Sequence, residues 1–386
     1  MWRGLASNAL GLLIVVLVAF AAAVGWAQRE WQAPGPLASA ICLEVERGSN
    51  MRRVSETLAE QGAIARPALF RAGADYADLP GLKAGSFLVP EGASMEEIAA
   101  AITEGGPSTC GTEVNFRIGV AKADVLVREL DPETGRFERT AEFDVGEEPP
   151  AAYAEVAARP DTRFRVTVAE GVTSWQVVEA LREADFLSGD VGALPAEGTL
   201  APDSYEVRPG TDRGELVAAM EESQLEILEA AWAARDPSVP LDSAEEALIL
   251  ASIIEKETGV PEERQEVAGV FVNRLREGMR LQTDPTVIYG VTRGRGVLGR
   301  GLRRSELDRE TPWNTYVIDG LPPTPIANPG EASILAAVDP GDTQNLYFVA
   351  DGTGGHAFAA TLAEHNANVA RWRAIEAEQE AASPGQ

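Results

Sequence analysis

The stretch ALILASIIEKETG, residues 247–259, decides the fold of the C-terminal part of this chain. Apolar side chains occupy nearly every position from Ala247 to Ile254, which predicts a helix buried on all sides rather than one lying on a surface. Ser243, with a glutamate three residues later, predicts a capping box at the start of this helix. Gly259 is expected to end it.

Two carboxylates, Glu255 and Glu257, stand at the C-terminal end of this helix. Glu257 continues a stripe of bulky apolar side chains, whereas Glu255 continues a thinner one. Burial at such a position raises the pKa of a carboxyl group, and the negative end of the helix dipole acts in the same direction. A carboxyl group kept protonated in this way can serve as a general acid. The alternative is a pair of solvated glutamates at a fraying helix end, beside Lys256.

A second helix is predicted at residues 260–278, and three segments rich in sugar-binding residue types follow it. Residues 279–290 (MRLQTDPTVIYG) predict a non-helical run. Residues 311–330 (TPWNTYVIDGLPPTPIANPG) predict a loop made rigid by its prolines. Residues 345–372 predict a strand, a glycine-rich turn and a helix capped at Thr361. Taken singly, the aromatic side chains of these segments are equally typical of core packing.

Composition excludes several classes of protein. The chain has 386 residues, with 33 Lys+Arg against 60 Asp+Glu and a net charge of −27, and this acidity argues against nucleic-acid binding. A hydrophobic content of 45% is typical of two or three globular domains. Two cysteines and two histidines are too few for a zinc cluster, and His356 and His365 lack metal-ligand spacing, so no metal is expected.

The N-terminus predicts a membrane anchor. Residues 9–27, ALGLLIVVLVAFAAAVGWA, carry no charge, and as a helix they would extend about 28 Å, enough to cross a bilayer core. Trp26 and Trp31 stand where interfacial aromatic residues belong. Arg3 favours a cytoplasmic tail at residues 1–8 and an exported body. A cleaved signal peptide is the competing interpretation.

If the body of the protein is exported, Cys42 and Cys110 lie in an oxidising compartment. In an oxidising compartment they can form a disulfide, and the alternative is two buried free thiols.

A faint repeat precedes the buried helix. Residues 42–98 predict a βααβ plan followed by a helix capped at Ser94, and residues 164–220 are expected to repeat that plan. The acidic, alternating stretch near residues 111–160 between them predicts an inserted β-rich piece. Either copy is suited to carbohydrate recognition or to packing alone. The overall fold class is therefore α+β.

Four motifs together resemble the YceG/MltG family of membrane-anchored endolytic murein transglycosylases. They are ASIIEKET, VFVNRLREGMRLQTDPTVIYG, WNTYVIDGLPPTPIANPG, and LYFVADGTGGHAF with a following EHN, and they span roughly residues 240–372. The anchor and the two repeats, as LysM-like modules, fit the layout of that family less distinctively. The family's catalytic glutamate lies in its EKE(T) motif, and Glu257, followed by Thr258, is the better match.

The resemblance implies a division of the chain and a reaction. The expected parts are a cytoplasmic tail (1–8), an anchor (9–27), a first LysM-like module (38–107), a β-rich insertion (108–162), a second LysM-like module (163–225), a catalytic domain (240–375) and a C-terminal tail (376–386). Glu257 would cleave the MurNAc–GlcNAc bond inside peptidoglycan strands and leave 1,6-anhydroMurNAc ends, without a cofactor. The residues that would position the saccharide are Glu255, Asn273, Gln282, Asp284, Tyr289, Asn314 and Tyr316.

The same resemblance implies coupling to peptidoglycan synthase complexes at the cell membrane, with the catalytic domain on the extracytoplasmic side and termination of strand elongation as a role. Two other functions stay open. A two-carboxylate hydrolase would pair Glu257 with Asp284 or Glu255. A non-catalytic wall-binding scaffold would depend on the repeats alone.

Overall fold

The computed structural model describes residues 2–46, 48–104, 110–159 and 161–382. The chain divides into two compact units. The first comprises Met1–Val114, Leu126–Glu142 and Glu148–Arg163, and the second comprises Asn115–Val125, Phe143–Glu147 and Phe164–Gln386.

The first unit begins with one long helix, α1 (Trp2–Gln32). Its segment Leu10–Gln32 is long and apolar enough to cross a membrane, and it is the only such helix within the described part of the chain. Length and composition alone support this span, and they suit a signal sequence as well as an anchor.

The first repeat has the βααβ plan expected from its sequence, followed by a third helix. Its elements are β1 (Ile41–Val45), α2 (Met51–Glu60), α3 (Pro67–Tyr76), β2 (Gly85–Val89) and α4 (Met95–Thr103). The two strands pair antiparallel, and Leu43, Leu58 and Phe70 lie fully buried between strands and helices. Ser94 and Glu97 form the expected capping box at the start of α4.

Cys42 on β1 and Cys110 are joined by a disulfide, with their Cα atoms 5.6 Å apart. The bond closes a loop with a sequence separation of 68 residues around the first repeat.

The segment expected to be a β-rich insertion contains three strands and a short helix. Its strands do not form a separate piece, because they lie in one sheet with the strands of the second repeat, in the order β5-β4-β3-β6-β7. The elements are β3 (Thr112–Ile118), β4 (Ala123–Asp131), β5 (Arg136–Asp144), α5 (Ala151–Ala157), β6 (Arg163–Val168) and β7 (Ser204–Val207).

The second repeat departs from the plan of the first. One helix, α6 (Ser174–Glu183), lies between β6 and β7, and α7 (Arg213–Ala233) follows β7. Residues 184–203 form no second helix, so the expectation of a full βααβ copy is wrong here. These twenty residues contain three glycines and two prolines, which disfavour a helix.

The C-terminal part is mainly helical. Its elements are α8 (Ala244–Glu257), a 3₁₀ turn (Pro261–Glu263), α9 (Arg264–Arg276), α10 (Asp284–Thr292), α11 (Arg304–Leu307), α12 (Glu331–Val338), β8 (Tyr347–Ala350), β9 (His356–Ala359) and α13 (Leu362–Ala382). Every residue from Ala247 to Ile254 is buried, as the sequence predicts. The core around α8 includes Leu250, Phe271 and Ile334.

Three details of this region differ from expectation. Residues 284–292 are helical rather than extended, because Pro285 in the first turn is pre-organised for a helix and Asp284 favours its positive end. The glycine-rich turn after β8 leads into a second strand, β9, which pairs antiparallel with β8. The residues expected to form a tail from 376 continue α13 as far as Ala382.

The capping of α8 is also simpler than predicted. The hydroxyl of Ser243 accepts a hydrogen bond from the N–H of Glu246 at 3.3 Å. The carboxylate of Glu246, however, accepts from the N–H of Asp242 at 2.7 Å and does not complete a capping box. At the start of α13, by contrast, Thr361 and Glu364 bond reciprocally, as the sequence indicates.

Candidate active site

Glu257 is the last residue of α8, at the point where the chain leaves the buried helix. Thr258 follows in an extended conformation, and its N–H still bonds to the carbonyl of Ile254 at 3.2 Å. The hydroxyl of Thr283, which comes just before α10, donates a hydrogen bond to Oε1 of Glu257. One carboxyl oxygen is thereby fixed, and the other is left to carry a proton.

Burial raises the pKa of Glu257, and the negative charge of Asp284 adds to that increase. The hydrogen bond from Thr283 and the charges of His356 and Arg274 act in the opposite direction. The carboxyl group is thus biased towards the protonated form, while three neighbours stabilise the anion that forms when the proton leaves.

Asp284 and Tyr316 form a polar pair beside Glu257. The hydroxyl of Tyr316 donates to Oδ1 of Asp284 at 2.7 Å. Burial, this hydrogen bond and the charges of Asp284 and Glu257 raise the pKa of the Tyr316 hydroxyl. Gln282 is an exposed neighbour in a left-handed conformation, with φ of 51°, and its N–H bonds to the carbonyl of Thr315 at 3.2 Å.

Arg274 is a further member of this site, and its residue type and position in the sequence gave no sign of it. Its guanidinium is buried and donates to the carbonyls of Leu346 at 2.7 Å and Leu281 at 2.6 Å. Desolvation lowers the pKa of Arg274, and the charge of Glu257 partly offsets that effect. Arg274 is therefore a fixed cation within electrostatic reach of the carboxylate.

His356 is a hydrogen-bonding residue in the structure. Its Nδ1 lies 2.8 Å from Oε2 of Glu263, and its backbone N–H donates to Oε1 of the same carboxylate at 2.8 Å. His365 instead stacks on Tyr347 at 5.2 Å between ring centroids, and its Nδ1 is buried without a hydrogen-bond partner among the described residues.

Glu255 is placed apart from Glu257. Its Oε2 accepts hydrogen bonds from the N–H of Gly330 at 3.1 Å and the hydroxyl of Ser333 at 2.7 Å, both at the start of α12. The pKa of nearby Glu170 is raised by burial and by the charge of Glu255. These contacts assign Glu255 to holding α12 on α8.

Two asparagines singled out from the sequence donate hydrogen bonds from their side-chain amides to backbone carbonyls. Asn273 donates to the carbonyls of Thr343 at 2.8 Å and Asn345 at 3.1 Å. Asn314 is fully buried and donates to the carbonyls of residues 306, 307 and 309. Both side chains therefore support the loops that carry other site residues.

Tyr289 on α10 is half-buried, and its ring lies 5.8 Å from that of Trp313 between centroids. Its hydroxyl donates to Oε2 of Glu197 at 3.1 Å, and burial raises the pKa of both groups. Together with Lys256, Tyr289 lines a cavity of about 340 Å³, whose other walls are Val120, Thr173, Gln176, Pro285, Ile288, Thr292, Ile326 and residues 294 and 296–300. The Lys256 ammonium donates to the carbonyl of Gly171 at 3.1 Å, and desolvation lowers its pKa.

Within the described residues, no group of three or more His, Cys, Asp or Glu side chains is arranged to hold a metal ion.

Comparisons with known proteins agree on one family. The family model described as "YceG-like family" matches residues 133–371, more than half of the chain. The match begins within the expected β-rich insertion, upstream of the region that carries the motifs.

Two curated relatives are both named "Endolytic murein transglycosylase". The protein of Bacillus subtilis strain 168 is 28% identical over 344 residues, which cover 84% of this chain and 83% of that protein. The protein of Streptococcus pneumoniae R6 is 27% identical over 86% of this chain, which spans 58% of that longer relative.

A solved structure, of a putative YceG-like protein from Listeria monocytogenes, is also similar. It is 24% identical, with a TM-score of 0.45, and the match covers 85% of this chain and 98% of that one. The extent of the family match decides the assignment: this chain belongs to the YceG-like family.

Proposed function

We propose that this protein is an endolytic peptidoglycan lytic transglycosylase, with Glu257 as its acid and base. The observation that carries the proposal is the carboxyl group of Glu257, whose pKa is raised by burial at the end of a buried helix. The names of the curated relatives supply the substrate class, murein.

In the first step, protonated Glu257 gives its proton to the glycosidic oxygen between N-acetylmuramic acid and N-acetylglucosamine. The bond from that oxygen to the muramyl anomeric carbon breaks through an oxocarbenium-like transition state. Glu257 becomes an anion at this moment. The hydrogen bond from Thr283 and the positive charge of Arg274 stabilise that anion, as the direction of their effect on its pKa requires.

In the second step, the 6-hydroxyl of the same muramyl residue attacks the anomeric carbon. Its proton passes to the Glu257 carboxylate, which restores the starting acid. The product ends in a 1,6-anhydro sugar, and no water or cofactor is consumed. One carboxyl group suffices for both steps because the first step leaves it ionised and able to accept the proton of the second.

The Asp284–Tyr316 pair and Gln282 would contact the saccharide beside the acid. All three stand next to Thr283 or within electrostatic reach of Glu257. Tyr289 would contact the saccharide from the cavity that it lines together with Lys256. Glu255, Asn273 and Asn314 would contribute by fixing helix α12 and the loops, through the hydrogen bonds that occupy them.

A two-carboxylate hydrolase is the second candidate, and one observation favours it. Asp284 lies close enough to Glu257 for its charge to raise the pKa of the acid. A carboxylate at this position could activate water, and the new muramyl end would then be reducing rather than 1,6-anhydro.

The N-terminal helix would hold the enzyme in the cell membrane, with the N-terminus in the cytoplasm and the catalytic part outside. In that place the enzyme would meet newly made strands and the synthase complexes that make them. Cleavage inside such strands would terminate their elongation.

The test compares variants on uncrosslinked glycan strands. Glu257→Gln keeps the size of the side chain but has no transferable acidic proton, so turnover should fall by about 10²–10⁴-fold or more. Glu245→Gln, at the exposed first turn of the same helix, is the matched control and should retain wild-type turnover. Glu255→Gln should be milder than Glu257→Gln. Near wild-type cutting by Glu257→Gln would refute its assignment as the acid, and absence of cutting by the wild-type protein would favour the scaffold hypothesis.

A further inference from the structure

The C-terminal turns of helix α1 pack on the first repeat. The ring of Trp31 packs against Phe70, with 5.9 Å between ring centroids, and lies over Gly73, where any Cβ atom would overlap it. Arg66 forms an ion pair with Glu30. The same guanidinium lies 5.3 Å from the centroid of the Trp26 ring. The last two turns of α1 are therefore fixed to helix α3.

A groove of about 600 Å³ lies beside this junction. Phe20 and Val24 lie on its α1 wall, and Leu69, Ala72 and Tyr76 lie on its α3 wall; Gln28, Gln32 and Glu96 add polar groups to the lining. Tyr76 is 82% exposed and Phe20 is 67% exposed, so nothing within the described chain covers this apolar surface. Leu69, Ala72 and Tyr76 follow one another at intervals of three and four residues and share one face of α3.

The membrane depth of the α1 wall follows from helix geometry. If the hydrocarbon core ends near Ala27, as the interfacial position of Trp26 indicates, Val24 lies about 5 Å and Phe20 about 10 Å inside it. The α1 wall of the groove therefore lies up to about 10 Å inside the core, and the groove continues to Trp31, about 6 Å outside it. Interfacial helices bury their apolar faces by about 5–10 Å, which agrees with this range.

We propose that the first repeat rests on the bilayer and that lipid acyl chains fill this groove. The proposal depends on α1 being a retained membrane anchor. Leu69 and Ala72 contribute apolar contact, and Tyr76 places its ring among the acyl chains with its hydroxyl at the headgroups. The bilayer is favoured as the occupant because the groove is continuous with the membrane-spanning helix itself.

The test uses the full chain in phosphatidylcholine/phosphatidylglycerol vesicles whose acyl chains carry bromine, a contact quencher of fluorescence. An environment-sensitive label is attached to Tyr76→Cys or, separately, to Ala72→Cys, both at exposed positions, without reductant so that Cys42 and Cys110 stay bonded. Glu56→Cys on α2 is the matched control, because Glu56 is exposed and does not line the groove.

We expect brominated chains to quench the labels at positions 72 and 76 several-fold more than the label at position 56. Ala72→Asp should abolish quenching at position 76 while the protein still floats with the vesicles, since a charge in the groove opposes acyl contact but leaves the span intact. Equal, weak quenching at all positions in floating protein would overturn the bilayer contact. A blue-shifted but unquenched label at position 76 would overturn it in favour of a second copy of the chain.

Flotation of the full chain with the vesicles tests whether α1 is a membrane anchor. Failure of the full chain to float would refute the anchor and, with it, the groove contact. Turnover of glycan strands, which tests the proposed function, is measured independently of either result.

Discussion

Replacement of Thr283 by valine tests how the surroundings of Glu257 set the pKa of its carboxyl group. Valine has nearly the same shape as threonine but cannot donate to Oε1 of Glu257. Thr283 is only 3% exposed, so an isosteric apolar side chain preserves the packing. The main-chain N–H of residue 283, which bonds to the hydroxyl of Thr315 at 3.1 Å, remains in place.

The size of the effect follows from the charge on the acceptor. A hydrogen bond to a charged group contributes about 1.5–3 kcal/mol, and here it favours the ionised carboxylate. Its loss raises the pKa of Glu257 further, by one unit for each 1.4 kcal/mol or so. Because the protonated form is the active acid, the alkaline limb of the kcat profile should move to higher pH by the same interval. The plateau should fall, since a weaker acid donates its proton less readily.

The assay is a pH profile of kcat on uncrosslinked glycan strands for wild type, Thr283→Val and Thr283→Ser. Serine keeps the hydroxyl and should leave the limb near its wild-type position. Thermal unfolding should show both variants folded over the range of pH used. An alkaline limb that stays in place in Thr283→Val, or moves to lower pH, would refute the electrostatic account of Glu257.

Three further predictions follow from the same structure. Since burial raises the folded-state pKa of Glu257 above its unfolded value of about 4.5, wild type loses stability relative to Glu257→Gln as pH rises through that folded pKa. Denaturant titrations should show the variant gaining in unfolding free energy from about pH 4.5 upward, and a constant difference would contradict this. Reduction of the Cys42–Cys110 bond, which closes a loop with a sequence separation of 68 residues, should cost about 4 kcal/mol of unfolding free energy; two titratable thiols in unreduced, unfolded protein would show that the bond is absent. Protease added to spheroplasts should digest the body of the protein, and complete protection would reverse the proposed topology.

Patterns local in sequence predicted local structure well. The all-apolar run before Glu255 identified the buried helix, and the Ser94 and Thr361 boxes marked true helix starts. Each of these signals lies within a few residues of the element that it specifies, so no knowledge of tertiary contacts is needed.

Helix α10 was missed because its residues are poor helix formers by composition. Its sequence, DPTVIYGVT, is rich in β-branched residues and contains glycine. Burial of Thr286 and Val287 outweighs that weak propensity. The Asp-Pro pair at its first turn was the signal that could have identified the helix.

The surroundings of Glu257 were only partly predictable. Asp284 and Tyr316 were singled out by residue type, but Arg274 and Glu263 were not, since their placement depends on contacts with residues 346 and 356, far along the chain. Residue type also did not distinguish candidate saccharide-binding side chains from those that support loops. Asn273 and Asn314 have the chemistry of sugar-binding residues, yet their amides bond to backbone carbonyls.

Mass spectrometry of the strand ends produced by the wild-type protein tests the central claim most directly. Uncrosslinked glycan strands incubated with the enzyme should yield internal fragments that end in 1,6-anhydroMurNAc, lighter by one water than reducing ends. The same fragments should be absent with Glu257→Gln. Fragments that end in reducing muramic acid would contradict the account, because water, activated by a second carboxylate such as Asp284, would then be the nucleophile.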